Sequence, residues 1–184
     1  HDDQIDFGYN VNLAATQTFI REVHVAPGAE PAPGAIPAVL QAEQQQHDVV
    51  PPQFSYDAAA GAGKYFATVA EVTEGQTQLV ARPIPYDTRT ARLTPDDFAL
   101  SPDETTLTCP NGQRSTTAYR SQSAQGRTFR FTAKQCQGCP LADKCRGDAV
   151  APEHLRQVFI SDFRATLAQA RTYAQTADFK ADMK

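Results

Sequence analysis

Four cysteines have the residue type and spacing for metal or redox chemistry. Cys109, Cys136, Cys139 and Cys145 all lie in one stretch of the 184-residue chain. Four thiolates suit a tetrahedral Zn²⁺ ion, and a Cys-x-x-Cys turn can present two sulfurs to one metal. The gap between Cys139 and Cys145 is wider than is usual. Two disulfides, an iron–sulfur cluster and four unligated or redox-active thiols therefore stay open as alternatives to the structural Zn²⁺ that we favour.

Asp57 is the candidate for acid or metal chemistry. It follows the apolar run Phe54–Tyr56 and precedes a turn of small residues before a predicted helix. The carboxyl end of a strand is the usual place for catalytic groups in open α/β sheets. The alternative is a helix cap, since Asp is a preferred cap residue. The turn matches no nucleotide-binding loop, because Tyr65 replaces the required Ser or Thr and Phe66 stands where a third glycine is needed.

Periodic apolar patterns predict an α/β arrangement around Asp57. Residues 7–14 alternate, with Phe7, Tyr9, Val11 and Leu13 on the expected buried side, and pair with residues 19–25 in a predicted hairpin. A Pro-rich loop then leads to a helix with Pro37 in its first turn. The strand before Asp57, a helix and a strand at 77–81 follow. Alternating strands and helices favour one central sheet carrying helices.

The second half of the chain predicts a separate β module. Short, turn-rich pieces containing the four cysteines occupy residues 83–158, and a helix capped by Ser161 or Asp162 follows and continues toward the last residues. We therefore predict a core formed by residues 1–82 and 159–184, interrupted by an insertion at 83–158. A small module with few large apolar groups often needs a metal for stability.

The charge of the chain is unevenly distributed. The formal net charge of -4 argues against a general nucleic-acid binder. Residues 1–108 nevertheless hold 5 Lys/Arg against 15 Asp/Glu, whereas residues 109–156 hold 8 against 3. This asymmetry is typical either of an acidic, metal-collecting part beside a basic, phosphate-facing part, or of two ordinary solvated surfaces.

The composition indicates a globular protein without a membrane span. Apolar residues make up 41% and charged residues 21%, and no apolar run approaches the roughly 20 residues that a bilayer requires. The first residues lack the pattern of a secretory leader, so we expect a cytoplasmic protein. Because the chain begins at His1 and stops within a predicted helix, we also expect a fragment.

A series of short motifs runs along the chain: Phe7-Gly-Tyr-Asn-Val11, Tyr56-Asp57-Ala-Ala-Ala-Gly-Ala-Gly-Lys64, Gln76-Thr-Gln-Leu-Val-Ala81, Thr108-Cys-Pro-Asn-Gly112, Cys136-x-x-Cys-Pro-Leu-x-x-x-Cys145 and the Ala170-Arg171 helix. This series resembles bacterial insertion-sequence transposases of the DDE class. The resemblance covers nearly the whole chain, and the cysteine block is its most specific part. It implies an RNase H-like mixed sheet with flanking helices, interrupted by a small β-rich insertion with four cysteines that is similar to a zinc ribbon.

The resemblance also implies a site of three acids that holds two Mg²⁺ (or Mn²⁺) ions for cutting and joining DNA. Asp57 matches the second acid. The first acid is expected on a strand before the hairpin, and the third, a Glu, on the C-terminal helix shortly beyond Lys184. Asp2, Asp3 and Asp6 fall in the wrong place for the first acid, so we expect the chain to be inactive by itself.

The implied partners are the double-stranded DNA of the transposon ends and of the target, with a homo-oligomer formed by the complete protein. Five basic residues of the insertion are the candidates for phosphate contacts, with plain surface solubility as the alternative: Arg114, Arg120, Arg127, Arg130 and Lys134. A non-enzymatic zinc-ribbon module that binds DNA or protein is the alternative function.

Overall fold

The computed structural model describes residues 8–86, 93–146 and 156–183. The chain divides into two units, one formed by His1–Ile84 with Ala165–Lys184 and the other by Pro85–Arg164. The second unit is continuous in sequence and interrupts the first. The predicted core segment began at residue 159, whereas residues 159–164 lie in the second unit, because a strand at Arg156–Ser161 pairs with Gly126–Phe131.

The described residues form nine strands and six α-helices, which are, in chain order, β1 (Tyr9–Ala15), β2 (Ile20–Pro27), α1 (Ile36–His47), β3 (Gln53–Ser55), α2 (Gly63–Val72), β4 (Gln78–Val80), β5 (Ala99–Leu100), β6 (Leu107–Thr108), β7 (Thr117–Ser121), β8 (Gly126–Phe131), α3 (Ala133–Cys136), α4 (Ala142–Arg146), β9 (Arg156–Ser161), α5 (Arg164–Tyr173) and α6 (Ala177–Asp182).

The predicted hairpin is present as β1 and β2, which pair antiparallel with Val11 opposite Val25. Its apolar side is the exposed one, since Val11 is 60% and Leu13 56% exposed. The opposite, polar side meets α1, where Arg21 Nε lies 2.7 Å from Glu43 Oε2. The expectation of a buried apolar side was therefore wrong for the described residues of the hairpin; Phe7 lies outside them.

The first unit contains two separate two-stranded sheets instead of the single predicted sheet. β1 pairs with β2, and β3 pairs parallel with β4. Among the described residues β1 and β3 have one strand neighbour each, so no strand joins the two pairs. The mixed α/β class is confirmed, but the described strands do not form a continuous RNase H-like sheet.

The helices of the first unit cover one apolar cluster that includes side chains from α1, α2, β4 and α5. Its buried members are Ile36, Leu40, Ala60, Tyr65, Phe66, Val69, Leu79, Ala81 and Ala170. Pro37 lies in the first turn of α1, as predicted. The last predicted helix was too long. It ends at Tyr173, and Thr176 Oγ1 accepts a hydrogen bond from the Phe179 amide at 3.2 Å to start α6.

The second unit is built on a three-stranded antiparallel sheet in the order β7-β8-β9, with β5 and β6 as a separate pair. One side of the sheet is buried in a second apolar cluster, formed by Phe98, Leu107, Phe129, Phe131, Val158 and Ile160. The cysteine-bearing pieces α3 and α4 follow β8. Cys109, Cys136 and Cys145 are partly buried against the same cluster.

Candidate functional site

Asp57 lies two residues after the end of β3, at the end of the parallel pair. The hydrogen-bond ladder continues one residue past β3, because the Tyr56 amide donates to the Val80 carbonyl at 2.9 Å. Asp57 itself is exposed, and its Oδ1 accepts a hydrogen bond from the Ala59 amide at 2.8 Å. This bond caps a short 3₁₀ turn at Ala58–Ala60. The capping role is thus observed, and the groups around Asp57 decide what else its carboxylate could do.

A cleft of about 310 Å³ lies beside Asp57 in the first unit. Its walls are residues Val11–Leu13 of β1 and Phe54–Asp57, and the start of α1 also lines it. Asp57 is the only carboxylate among the described residues that line it, and Asn12, Ser55 and Tyr56 add polar groups. Apolar walls with a few convergent polar groups are typical of ligand sites. The cleft therefore lies between β1 and β3, which belong to two different two-stranded sheets.

Tyr56 links the two sides of this cleft. Its hydroxyl donates a hydrogen bond to Asn12 Oδ1 at 3.1 Å. The Asn12 amide nitrogen is buried and has no hydrogen-bond partner among the described residues. Burial raises the pKa of Tyr56 above its ordinary 10.0, and the neighbouring Asp57 carboxylate and Tyr65 act in the same direction. Tyr56 is therefore a neutral donor at physiological pH.

Gly61, in the turn after Asp57, is required by a close backbone approach. A Cβ atom added to Gly61 would lie 2.1 Å from the Arg82 carbonyl oxygen. The Gly61 carbonyl in turn accepts a hydrogen bond from the Ile84 amide at 3.0 Å. The turn that carries Asp57 is therefore fixed against the segment that follows β4, and this contact leaves no room for a side chain at position 61.

The four cysteines are free thiols placed on separate local structures of the second unit. Cys109 follows β6 in a turn closed by a 2.8 Å bond from the Gly112 amide to its carbonyl. Cys136 ends α3, and the Cys139 amide donates to its carbonyl at 3.3 Å. Cys145 lies in α4. The Cys-x-x-Cys turn was predicted, and the short helices on either side of it were not.

Burial raises the pKa values of Cys136 and Cys145. The positive charge of Arg146 opposes this rise at Cys136, and at Cys145 the charge of Arg156 and a hydrogen bond from it do the same. Neighbouring thiols raise both pKa values in the same direction as burial, since a thiolate disfavours a second negative charge beside it. The described part of the chain nevertheless holds no group of three or more His, Cys, Asp or Glu arranged to bind a metal. The thiols as placed do not form the predicted tetrahedral site.

Three of the five predicted phosphate contacts already have partners. Arg120 makes a two-pronged ion pair with Asp162, at 3.2 and 2.7 Å. Arg127 donates to the Glu104 carbonyl and lies 3.7 Å from its carboxylate. The exposed guanidinium of Arg130 stacks 4.7 Å from the ring centre of Tyr119, but it pairs with no carboxylate among the described residues, so its charge can still contact a phosphate.

The side chains of Arg114 and Lys134 are exposed, and the Arg114 carbonyl accepts a bond from the Gln135 side chain at 2.7 Å. Within the described residues these two side chains make none of the ion pairs or ring contacts that hold Arg120, Arg127 and Arg130.

Acids elsewhere in the described ranges do not gather around Asp57. Asp182 in α6 accepts hydrogen bonds from Tyr173 at 2.9 Å and from Gln53 at 3.1 Å. Gln53 is the first residue of β3, whereas Asp57 follows its last residue. Asp182 therefore lies at the end of the strand opposite to Asp57. Asp2, Asp3 and Asp6 lie outside the described residues.

Sequence reasoning did not single out Asn12 or Arg156. Asn12 belongs to the polar side of an alternating strand, and only the packing of that side shows that it faces the cleft. Arg156 belongs to no sequence motif that would relate it to Cys145.

No helix within the described ranges is both long and apolar enough to cross a bilayer.

One family model matches part of the chain. Residues 108–184, somewhat less than half of the chain, match a family model described as a transposase DDE domain. This match confirms the resemblance to DDE transposases for the segment that contains the cysteines, while Asp57 lies outside it. Searches of curated proteins and of solved structures each found no significant match.

Proposed function

We propose, from the premise that residues 108–184 are part of a transposase DDE domain, that the whole chain belongs to a catalytic domain that cuts and joins DNA at insertion-sequence ends. The observation that carries the proposal is the position of Asp57. It is an exposed carboxylate at the carboxyl end of a parallel strand, on the wall of a cleft with polar groups. The partners of the catalytic domain would be the double-stranded DNA of the transposon ends and of the target. The complete protein would act as a homo-oligomer.

The cleft supports an RNase H-like arrangement of the first unit. It separates β1 from β3, and a single extended strand in it would join the two small sheets. Such a strand would lie beside both Asn12 and Asp57. The resemblance places the first acid on a strand before the hairpin, so this strand would bring that acid next to Asp57.

The described residues do not by themselves form the two-metal site that the resemblance implies. Among them Asp57 is the only carboxylate lining the cleft, and divalent Mg²⁺ or Mn²⁺ sites of this kind need several oxygen ligands. We therefore propose that the described residues supply one of the three acids, Asp57, and do not cleave DNA alone.

Asp57→Asn, made in a polypeptide that carries all three acids, tests this role. Asn is as good a cap as Asp, so the bond to the Ala59 amide and the stability of the turn should persist. Metal-dependent cleavage of labelled transposon ends should fall at least about 100-fold, as for loss of a metal-holding group, while DNA binding stays. Asp48→Asn is the matched control, because Asp48 is exposed with a φ of 52°, which Asn also tolerates. Full cleavage by Asp57→Asn would contradict the proposal.

We also propose that the four cysteines take up structural Zn²⁺, on the basis of their type, their number and their electrostatic proximity. Because they are not arranged as a metal group in the described structure, uptake would have to rotate the thiols and deprotonate them. Elemental analysis of protein purified without added metal tests this. One zinc per chain would support the proposal, and four titratable thiols without zinc would contradict it.

The basic residues Arg114 and Lys134 are proposed to contact backbone phosphates. Replacing both by Gln should lower DNA affinity uniformly across sequences and reduce the salt slope by about 2, since each phosphate contact contributes about 0.9 for duplex DNA. Gln replacement at Arg120 should have less effect on binding, because its ion pair with Asp162 already occupies the guanidinium.

A further inference from the structure

One face of the three-stranded sheet in the second unit is open, and its described residues include no carboxylate. The strand register puts nine residues on this face, namely Thr117, Tyr119, Ser121, Gly126, Thr128, Arg130, Gln157, Phe159 and Ser161. The opposite face carries Phe129, Val158 and Ile160 and is buried. None of the nine described residues is acidic, and Arg130 brings a positive charge. The face therefore combines polar, aromatic and cationic groups, and its described residues carry no negative charge that would repel an anion.

Two aromatic rings stand on this face in one row across the strands. Tyr119 is opposite Thr128, and Thr128 is opposite Phe159. Tyr119 is 42% and Phe159 37% exposed, although aromatic side chains of this size are mostly buried. The small Thr128 between them leaves both rings accessible. Since neighbouring strands lie about 4.8 Å apart, the two rings are anchored about 10 Å from each other.

The rings are held in place by their neighbours on the sheet. Phe159 lies against Gly126, because a Cβ atom at that glycine would come within 2.4 Å of the ring. The Tyr119 hydroxyl donates to Gln157 Oε1 at 3.0 Å, and the Arg130 guanidinium stacks at 4.7 Å from the Tyr119 ring centre. Both rings are thus oriented before any ligand arrives, which lowers the entropy cost of binding.

Oriented aromatic rings on an open sheet face, with a cation beside them, are suited to the bases of a single-stranded nucleic acid. Each unpaired base offers a flat apolar surface for stacking, and a basic side chain can contact the phosphate between two bases. Bases in a duplex are already stacked on each other and cannot use such rings without being flipped out.

We propose that this sheet face binds unpaired bases of single-stranded DNA, with Tyr119 and Phe159 each stacking on one base and Arg130 contacting a phosphate. The inference rests on the proposed function only in its choice of DNA over RNA. In a protein that cuts DNA ends, such a surface would hold the strand that becomes unpaired when an end is opened.

Binding of a fluorescein-labelled 15-nucleotide oligo-dT to the 184-residue chain, followed by anisotropy, tests the proposal. Tyr119→Ala and Phe159→Ala should each lower the affinity about 5- to 100-fold, the range for loss of one stacked base. Tyr119→Phe and Phe159→Tyr keep the rings and should stay within about threefold. Arg130→Gln should reduce the salt slope by about 0.7, the value for one phosphate contact of a single strand. Phe19→Ala is the matched control, since Phe19 is 58% exposed in the first unit.

A direct optical test uses the absence of tryptophan from the sequence. Tyr119→Trp introduces a single indole on the sheet face, and stacking of a thymine should quench its fluorescence as oligo-dT is added. Circular dichroism of each variant checks that the sheet is intact. The proposal is supported if oligo-dT quenches the fluorescence and a competing duplex of equal length does not reverse the quenching.

Three results would overturn the proposal: unchanged oligo-dT affinity in both alanine variants, competition by duplex DNA equal to that by single strands, or tighter binding of oligo-rU than of oligo-dT. Its failure is distinguishable from failure of the proposed function. Oligo-dT binding is measured on the 184-residue chain without cleavage, and Asp57→Asn should leave it unchanged.

Discussion

The Tyr56 hydroxyl lies 3.1 Å from Asn12 Oδ1, and this one hydrogen bond connects the end of β3 to β1 across the cleft. It joins the residue before Asp57 to a strand that has no ladder contact with β3 in the described structure. The width of the cleft therefore depends in part on a side-chain contact.

Tyr56→Phe should lower the free energy of unfolding by about 0.5–1.5 kcal/mol, the net value of such a bond. Urea unfolding at pH 7 measures this. Because folding raises the pKa of Tyr56 above 10.0, the neutral hydroxyl contributes fully below pH 10 and loses its contribution as the pH rises through the folded-state pKa. The difference between variant and parent should therefore shrink above pH 10. Tyr9→Phe, at a residue that is 78% exposed, should change nothing; equal effects of the two would contradict the assignment.

Arg21→Met should destabilise the first unit by about 3–5 kcal/mol, because it leaves the buried Glu43 carboxylate without its partner. Glu43 is 5% exposed, and its Oε1 has no hydrogen bond from the described residues. The double variant Arg21→Met with Glu43→Leu should recover most of the loss, since an apolar pair of similar volume suits a buried position. Thermal unfolding of Arg21→Met, Glu43→Leu and the double variant measures the coupling, and additive losses from the two single variants would contradict it.

Gly61→Ala should destabilise the turn after Asp57 by at least about 1–3 kcal/mol, as for overpacking against rigid neighbours. The atoms that the new Cβ would meet, the carbonyl oxygens of Arg82 at 2.1 Å and Ala58 at 3.0 Å, belong to the backbone and cannot rotate away. Gly34→Ala is the control, because no described atom lies within 4 Å of its added Cβ, and it should stay within about 0.5 kcal/mol of the parent. The midpoints of denaturant unfolding of the two variants measure this difference in stability. Similar midpoints for both variants would refute the close approach of the Arg82 carbonyl to Gly61.

Alkylation of the thiols should be slow at Cys136 and Cys145. The thiolate is the reactive form, and burial raises the pKa of both groups. Arg156→Gln should slow Cys145 further, because it removes the positive charge and the hydrogen bond that favour the thiolate. Iodoacetamide labelling followed by peptide mass spectrometry in the presence of a chelator reports each site. Faster labelling of Cys145 in Arg156→Gln would show that its thiolate does not depend on this arginine.

The sequence predicted most elements of the first unit, because their signals are local. The alternation of β1, Pro37 in the first turn of α1 and the small residues after Asp57 each follow from the chemistry of a few neighbours. The sequence did not predict which side of the hairpin would be covered. That side is set by packing against α1, where Arg21 of β2 pairs with Glu43, a residue far away in the chain. The pattern identified the strand, and a tertiary contact decided its orientation.

In the second unit, prediction failed where short elements depend on pairing. β7 carries Tyr119 and Arg120 among mostly exposed residues, so it has no apolar periodicity, and it exists because β8 supplies its hydrogen bonds.

The last helix, which belongs to the first unit, was predicted as continuous because Ala170 and Ala174 keep its spacing. The Thr176 cap ends that continuity, and the edge-on packing of Tyr173 on Phe179, with ring centres 5.6 Å apart, lies at the same junction.

The division of the chain has a consequence for its synthesis on the ribosome. All residues of the second unit are consecutive, from Pro85 to Arg164, so this unit can fold as soon as its last strand has emerged. The core of the first unit includes Ala170 and closes only later. Until then its Asp57 turn exists on an incomplete core, so the interrupting unit can fold before the unit that it interrupts.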